Sequence, residues 1–321
     1  MPNRQILTVA LRNAIGSRFQ PTGFPDLGPA RFERPRRDDD GNVRWEPALL
    51  VESAQSMANR LEAVGWDEAT QRPVPALSGL PYVRVVHAED GRYLTSSRTE
   101  AHRLAAGFVK DGLAGGRGMR EVIKERLGLR DDTPLAPRDI ARAVLRLDPL
   151  CLVHGVFFAE PAKVWPGQPK IARALTAFVE AYDVKPAESG GVKKDAVSHA
   201  KAEGQGAGEG YGFVPYHRTE WTAAEIVVSF SLDLGQLAAY GLSPAATELL
   251  ATIARFEIRS LLDAGLRLRT ACDLMPAGPV DGLAQRASLE ADLRQLTAAC
   301  AEELGSGEPL EVVWSPKMAK A

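Results

Sequence analysis

Cysteine is scarce: Cys151, Cys272 and Cys300 are the only three in 321 residues, and none belongs to a CxxC pair. That spacing excludes a disulfide framework and a cysteine-based zinc site. Acidic residues offer no substitute, because single aspartates such as Asp26, Asp195 and Asp273 are scattered without paired-carboxylate spacing. A metal-dependent nuclease therefore has no motif behind it. Long apolar runs are missing too. The best stretch, "AEIVVSFSLDLGQLAAYGL", is broken by Asp233 and Gln236, and a spanning helix needs about 18 uninterrupted apolar residues. With no signal-peptide core at the N-terminus either, a cytoplasmic, unexported protein without a membrane partner is expected. Neither GxGxxG nor GxxxxGK[ST] follows the first strand, so no dinucleotide or P-loop site is expected, and no cofactor. Net charge is also lacking: -2, with a pI near 6.3. Such a balance excludes a protein that grips nucleic acid with its whole surface.

What is present is a chain that is 45% hydrophobic, enough for a substantial core in one elaborated domain or two ordinary ones. Residues 5–11 predict a first strand, and 16–32 a long loop punctuated by Gly and Pro. The periodicity then predicts a helix over 49–61, a strand over 80–88, and helices over 95–108, 119–127 and 137–147. A strand over 150–160 and an amphipathic helix over 170–184 follow, then a strand over 225–234, helices over 244–264 and 283–304, and a strand over 310–315. Residues 185–217 are rich in Gly, Lys and Ala, and a loop of that length inside a compact domain is functional or disordered. The sum is an α+β fold, consistent with a split βαβ, ferredoxin-like sheet that carries a helical insertion over 95–148.

Charge is uneven along this order. Seven arginines stand against Asp26 and Glu33 up to residue 37, and "DDD" at 38–40 ends the run. The helix in "VESAQSMANRLE" divides into two faces. Ala54, Met57, Ala58 and Leu61 share one arc of about 100°. Ser53, Ser56 and Arg60 form a neighbouring stripe, with Glu52, Gln55 and Asn59 farther round. Hydroxyls and amides beside one guanidinium suit phosphate and sugar, since all of them donate to phosphate oxygens. The same small residues also suit close packing against another element.

Five blocks in matching order, "RFQPTGFPDLGPA", "LLVESAQSMANRLE", "GGVKKD", "VPYHRTEW" and "GLRLRTACDL", resemble the crRNA-binding backbone subunit of Cascade-type CRISPR complexes, in subtype I-G, formerly I-U. The likeness runs from about Thr8 to Leu274. This family belongs to the RAMP superfamily, whose members resemble one another in an RRM-like palm, an inserted helical finger region and a β-hairpin thumb. The resemblance implies a single elaborated domain over 1–321, with the finger in 95–148 and the thumb in 185–217.

It also implies RNA contacts, residue by residue. "ESAQSMANR" resembles the helix whose polar side holds the guide backbone, which nominates Ser53, Gln55, Ser56, Asn59 and Arg60; Asn59 and Arg60 stand where the family commonly has a Lys-Arg pair. The first block nominates Arg18 and Gln20. Lys193 and Lys194, behind two glycines, resemble the start of the thumb, where a mobile basic loop can follow a strand. Tyr216, His217 and Arg218 could stack on a base and reach a phosphate, although His217 also suits a strand end bonded to a carbonyl. Arg267 and Arg269 alternate with Leu266 and Leu268, placing both on one strand face; acids elsewhere could equally pair with them. Arg98 and His102 sit at i and i+4 of the expected inserted helix.

The function implied is a non-catalytic subunit, not an enzyme, that polymerises along a guide RNA. Its expected partners are the guide crRNA, target DNA read through the guide, further copies of itself and other Cascade subunits. Only one groove then needs to be basic, which fits the modest pI. The competing reading is an endoribonuclease that processes CRISPR RNA with a histidine acid or base. His102, His154 and His217 are its candidates, and none lies in a motif that supplies a partner base or an oxyanion donor.

Overall fold

A computed structural model describes residues 3–24, 26–194 and 213–318. In chain order its main elements are β1 (Arg4–Asn13), β2 (Arg31–Arg37), β3 (Val43–Glu52), α1 (Ala54–Ala63), β4 (Val83–His87), β5 (Tyr93–Ser96), α2 (Met119–Arg126) and α3 (Pro137–Leu147). Then come α4 (Leu150–His154), β6 (Leu175–Lys194), β7 (Phe213–Asp233), α5 (Pro244–Ala264), β8 (Leu266–Arg269), β9 (Cys272–Pro276), α6 (Arg286–Ala299) and β10 (Leu310–Trp314).

Seven strands form the central sheet in the order β8-β9-β1-β7-β6-β3-β2, every neighbouring pair antiparallel. The period of two explains which side is covered. Ile226, Val228, Phe230 and Leu232 of β7, with Leu175, Ala177, Val179 and Ala181 of β6, are buried, while Ile6 on the outward side of β1 is 61% exposed. The helix α1 lies against β6 and α5, and α5 also packs on β7, α4 and α6. Its Ser243 N-cap accepts from the Ala246 amide at 3.1 Å and Pro244 opens the first turn. A smaller sheet pairs β10 parallel to β4 and β4 antiparallel to β5.

The structure corrects four expectations. Residues 49–52 belong to strand β3, and the helix starts only after Ser53, whose hydroxyl accepts from the Ser56 amide at 3.3 Å. Residues 95–108 are not one helix: β5 ends at Ser96, Thr99 Oγ1 accepts from the Ser96 amide at 3.0 Å, and Arg103 adopts φ 53°. Hydroxyls bonding their own backbone compete with helix formation. The apolar run 150–160 opens as helix α4, because Asp148 accepts the Leu150 amide at 3.1 Å, and a wholly apolar run fits a buried helix as well as a strand. Residues 175–184 are the start of β6 instead of a helix; "LTAFVEA" satisfies both periods, and pairing on both edges decides for strand.

Of the expected finger, residues 95–148 hold α2 and α3 together with short strands and turns. Of the expected thumb, β6 and β7 pair from Leu175↔Leu232 to Lys194↔Phe213 as one long hairpin, and 195–212 lie outside the described residues. No described helix is long and apolar enough to cross a membrane.

Candidate nucleic-acid interface

The turn from β3 into α1 sets the geometry of the first site. Met57, Ala58, Leu61 and Glu62 are the buried face, whereas Ala54 is only half-buried. Gln55 and Asn59 are exposed, Ser56 is half-buried, and the Ser53 hydroxyl is committed to its cap. Arg60 does not stand free. Its guanidinium donates to the carbonyls of Arg267 at 3.2 Å and Leu268 at 2.5 Å, and lies 3.4 Å from Glu52. Arg269 reaches the same Glu52 oxygen at 2.6 Å and donates to the carbonyls of Gln20 and Val51. Glu52 is 2% exposed, so both arginines are spent largely on stitching α1, β3 and β8 together, with one flank of each still in solvent. Leu266 and Leu268 point inward and Arg267 outward, as the alternation predicts.

Beside α1 opens a cleft of about 930 Å³ to which Gln55, Asn59 and His102 contribute. Four cations line it: Arg103, which is spent on the buried Glu62 at 2.6 Å, and Lys110, Lys170 and Arg173. Lys110 is held by Glu160 at 2.5 Å and Asp111 at 3.2 Å, which keeps the Glu160 carboxyl below its ordinary pKa. Lys170 and Arg173 are different. Among the described residues neither has a carboxylate within 4 Å. The Lys170 ammonium sits 5.8 Å from the Phe157 ring. Arg173 makes one long bond, 3.5 Å to the Ala54 carbonyl, and partial burial, then the neighbouring Arg103, lower its pKa against a smaller opposing pull from Glu62. Glu62 is already taken by Arg103, so Arg173 is a half-buried cation with no carboxylate in contact, which favours an anion nearby. The expectation of an inward-facing helix over 170–184 hid these two residues, and no spacing rule marks them.

A second cleft, of about 750 Å³, lies where the loop after β1 meets the β6–β7 hairpin. Phe19 and Trp221 exchange backbone hydrogen bonds at 2.8 Å there, tying loop to hairpin. The cleft gathers Gln20, Tyr216, His217, Arg218 and Arg269, and adds Phe24 and Trp221. Tyr216 is 53% exposed and Phe24 74%, so aromatic faces are open to solvent. Arg18 and Arg218 flank the buried Glu220 at 3.2 and 3.6 Å, and His217 Nε2 lies 2.6 Å from Glu188.

Of the nominated residues, Arg18, Ser53, Ser56, Arg60, Arg98 and Arg267 line neither cleft, whereas the buried His154 backs the first. Arg98 is 4% exposed, donating to the carbonyls of Leu80 and Pro81 with Asp148 at 3.6 Å; it is a core residue, and it shares no helix with His102. Lys193 and Lys194 occupy the far end of β6 opposite Val214 and Phe213, and their side chains lie outside the described residues. His154, one of the candidate acids or bases, is buried 2.8 Å from Glu257 on α5. Burial lowers its pKa to about 4 and raises that of Glu257 well above the ordinary range.

Residues 6–186, more than half of the chain, match a family described as CRISPR-associated protein GSU0053. The chain belongs to that family. Its role is therefore CRISPR-related, and the matched span holds the whole of the first cleft's lining. Tyr216, His217, Arg218 and Arg269 of the second cleft lie beyond it. Among solved structures, one titled "CRISPR RNA-guided surveillance complex, pre-nicking" is similar at 13% identity over 85% of this chain and 73% of that one, with a TM-score of 0.38. That similarity is too distant to fix fold or role. No curated protein matches.

Proposed function

We propose that this family member is a non-catalytic subunit of subtype I-G that binds guide RNA and lines up in several copies along it. The observation that carries the proposal is the cleft beside α1, where Lys170 and Arg173 have no carboxylate within 4 Å among the described residues while Gln55 and Asn59 present exposed amides. Such a groove suits a phosphodiester backbone, since cations supply charge and amides fix the strand without reading its bases.

The topology supports an RRM-like palm. In chain order β1, β6, β7 and β9 lie side by side as fourth, first, third and second, with α1 and α5 as the intervening helices. On this reading the outer half of the β6–β7 hairpin is the thumb, and Tyr216 with Phe24 stacks on a base near its root. Target DNA is then read by pairing with the guide, and the protein holds the guide's shape. Other Cascade subunits complete the complex.

The test is titration of the purified chain with single-stranded RNA across a series of salt concentrations. Log K should fall linearly with log salt, by about 0.7 per phosphate contacted. Binding that is absent at low salt, or independent of salt, would overturn the proposal.

A further inference from the structure

A third cleft, of about 640 Å³, is not used by the RNA reading. It opens between the end of α2, the outer side of α3 and the turn at 303–306. Arg126, Arg142 and Arg146 line it, against Asp139 and Glu303. The negative charge is largely spoken for. Glu303 turns its carboxylate to the Ser243 amide and hydroxyl, at 3.1 and 2.5 Å, while its carbonyl accepts from Arg146 Nε at 3.1 Å. Asp139 has Arg142 at 3.3 Å. Arg126 has no carboxylate partner among the described residues and is exposed. Three guanidiniums thus face one opening with a surplus of positive charge.

The complement is on the same chain, and no ion pair joins the two among the described residues. The β2–β3 hairpin ends in Asp38, Asp39 and Asp40, all exposed. Asp38 closes the turn by accepting from the amides of Asp40 and Asn42, at 3.1 and 2.8 Å. The carboxylates of Asp39 and Asp40 have no partner among the described residues, and neither meets an arginine of the cleft. Within the hairpin Arg37 donates to the Gly41 carbonyl and Arg36 lies by Glu46, while Arg44, opposite Arg36, makes no ion pair with the tip among the described residues. An exposed acidic hairpin tip and an open cleft lined by arginines are complementary in charge.

We propose that the acidic tip of the β2–β3 hairpin docks into the arginine cleft of a second copy of this chain. The contact is head to tail, since two different patches meet, and such contacts propagate instead of closing in a pair. This rests on the reading that copies assemble side by side, and gives that assembly a direction. A nucleic-acid strand is the competing occupant, and the short-RNA arm of the experiment separates the two.

The experiment uses two charge-reversed full-length variants on an RNA long enough for several copies, read by sedimentation. One variant carries Asp39→Lys with Asp40→Lys, the other Arg126→Glu with Arg142→Glu. Each alone should weaken copy-to-copy association about tenfold or more, while binding of one copy to a short RNA stays unchanged. An equal mixture should restore association, because alternating copies then meet only opposite charges. If the mixture fails to restore it, or neither variant changes it, the docking is wrong. Loss of short-RNA binding in the arginine variant alone would mark the cleft as a nucleic-acid site and overturn the docking as well. Loss of short-RNA binding by the unaltered protein would instead remove the RNA reading itself. Thermal melts check folding, and Arg126→Ala with Arg142→Ala serves if the reversal unfolds the chain.

Discussion

Arg269 holds the Glu52 carboxylate at 2.6 Å, and that carboxylate is almost fully buried. Because Arg60 shares the same oxygen, removing Glu52 leaves two guanidiniums short of a counter-charge. Glu52→Gln should cost about 2–3 kcal/mol in a urea melt. That lies below the loss for a wholly buried pair, since both arginines keep solvent on one side.

The same geometry decides what Arg60→Glu does. A carboxylate placed against Glu52 repels it, and two backbone carbonyls lose their donor. The melting temperature should fall by several degrees, along with RNA affinity. Arg60→Gln, which retains an amide donor, separates the two effects: stability should recover most of its loss, and RNA affinity only part.

Arg173→Gln is the sharper probe of the cleft. Since Arg173 has no carboxylate in direct contact and its partial burial offsets the distant pull of Glu62, stability should stay within about 0.5 kcal/mol of the unaltered protein. RNA affinity should drop about tenfold at low salt, and the salt slope should shrink by about 0.7, the share of one phosphate. Lys170→Gln should behave alike.

The residues show why some of this was legible in the sequence and some was not. Arg267 and Arg269 were readable as a strand pair because Leu266 and Leu268 fix the inward side. The strand order around β1, β6 and β7 was not legible, because residues 175–184 read as a helix until pairing on both edges makes them a strand. Arg98 was misplaced because a run of Ser and Thr reads as a helix cap until Thr99 turns back on Ser96. Lys170 and Arg173 were missed because their surroundings are built by residues distant in sequence, namely Ala54, Arg103 and Phe157. Burial of a charge and the absence of its partner are tertiary facts.

Stability should depend on pH through His154 and Glu257, in opposite senses. The folded pKa of His154 is lowered to about 4, so its contribution is complete above the unfolded value near 6.5 and is lost as pH falls from there toward 4. The loss amounts to at most about 3 kcal/mol. Glu257 has a raised folded pKa, so its contribution is complete below about 4.5 and is lost as pH rises through the raised value. Chemical denaturation at pH steps from 4 to 8 should show Glu257→Gln gaining on the unaltered protein as pH rises. A constant difference at all pH values would sink this account.

His217 decides between binding and cleavage. Its imidazole lies 2.6 Å from Glu188 with both side chains more than half exposed, so the pair could orient a proton acceptor. Cleavage also needs stabilisation of the developing charge in a water-excluded setting, and open solvent screens what Arg218 could supply. Repeat RNA incubated with the pure protein in EDTA should therefore stay intact, judged on a denaturing gel. His217→Ala should reduce affinity by a few-fold and change no product. A specific cut in the RNA that disappears in His217→Ala would replace the binding subunit with a nuclease.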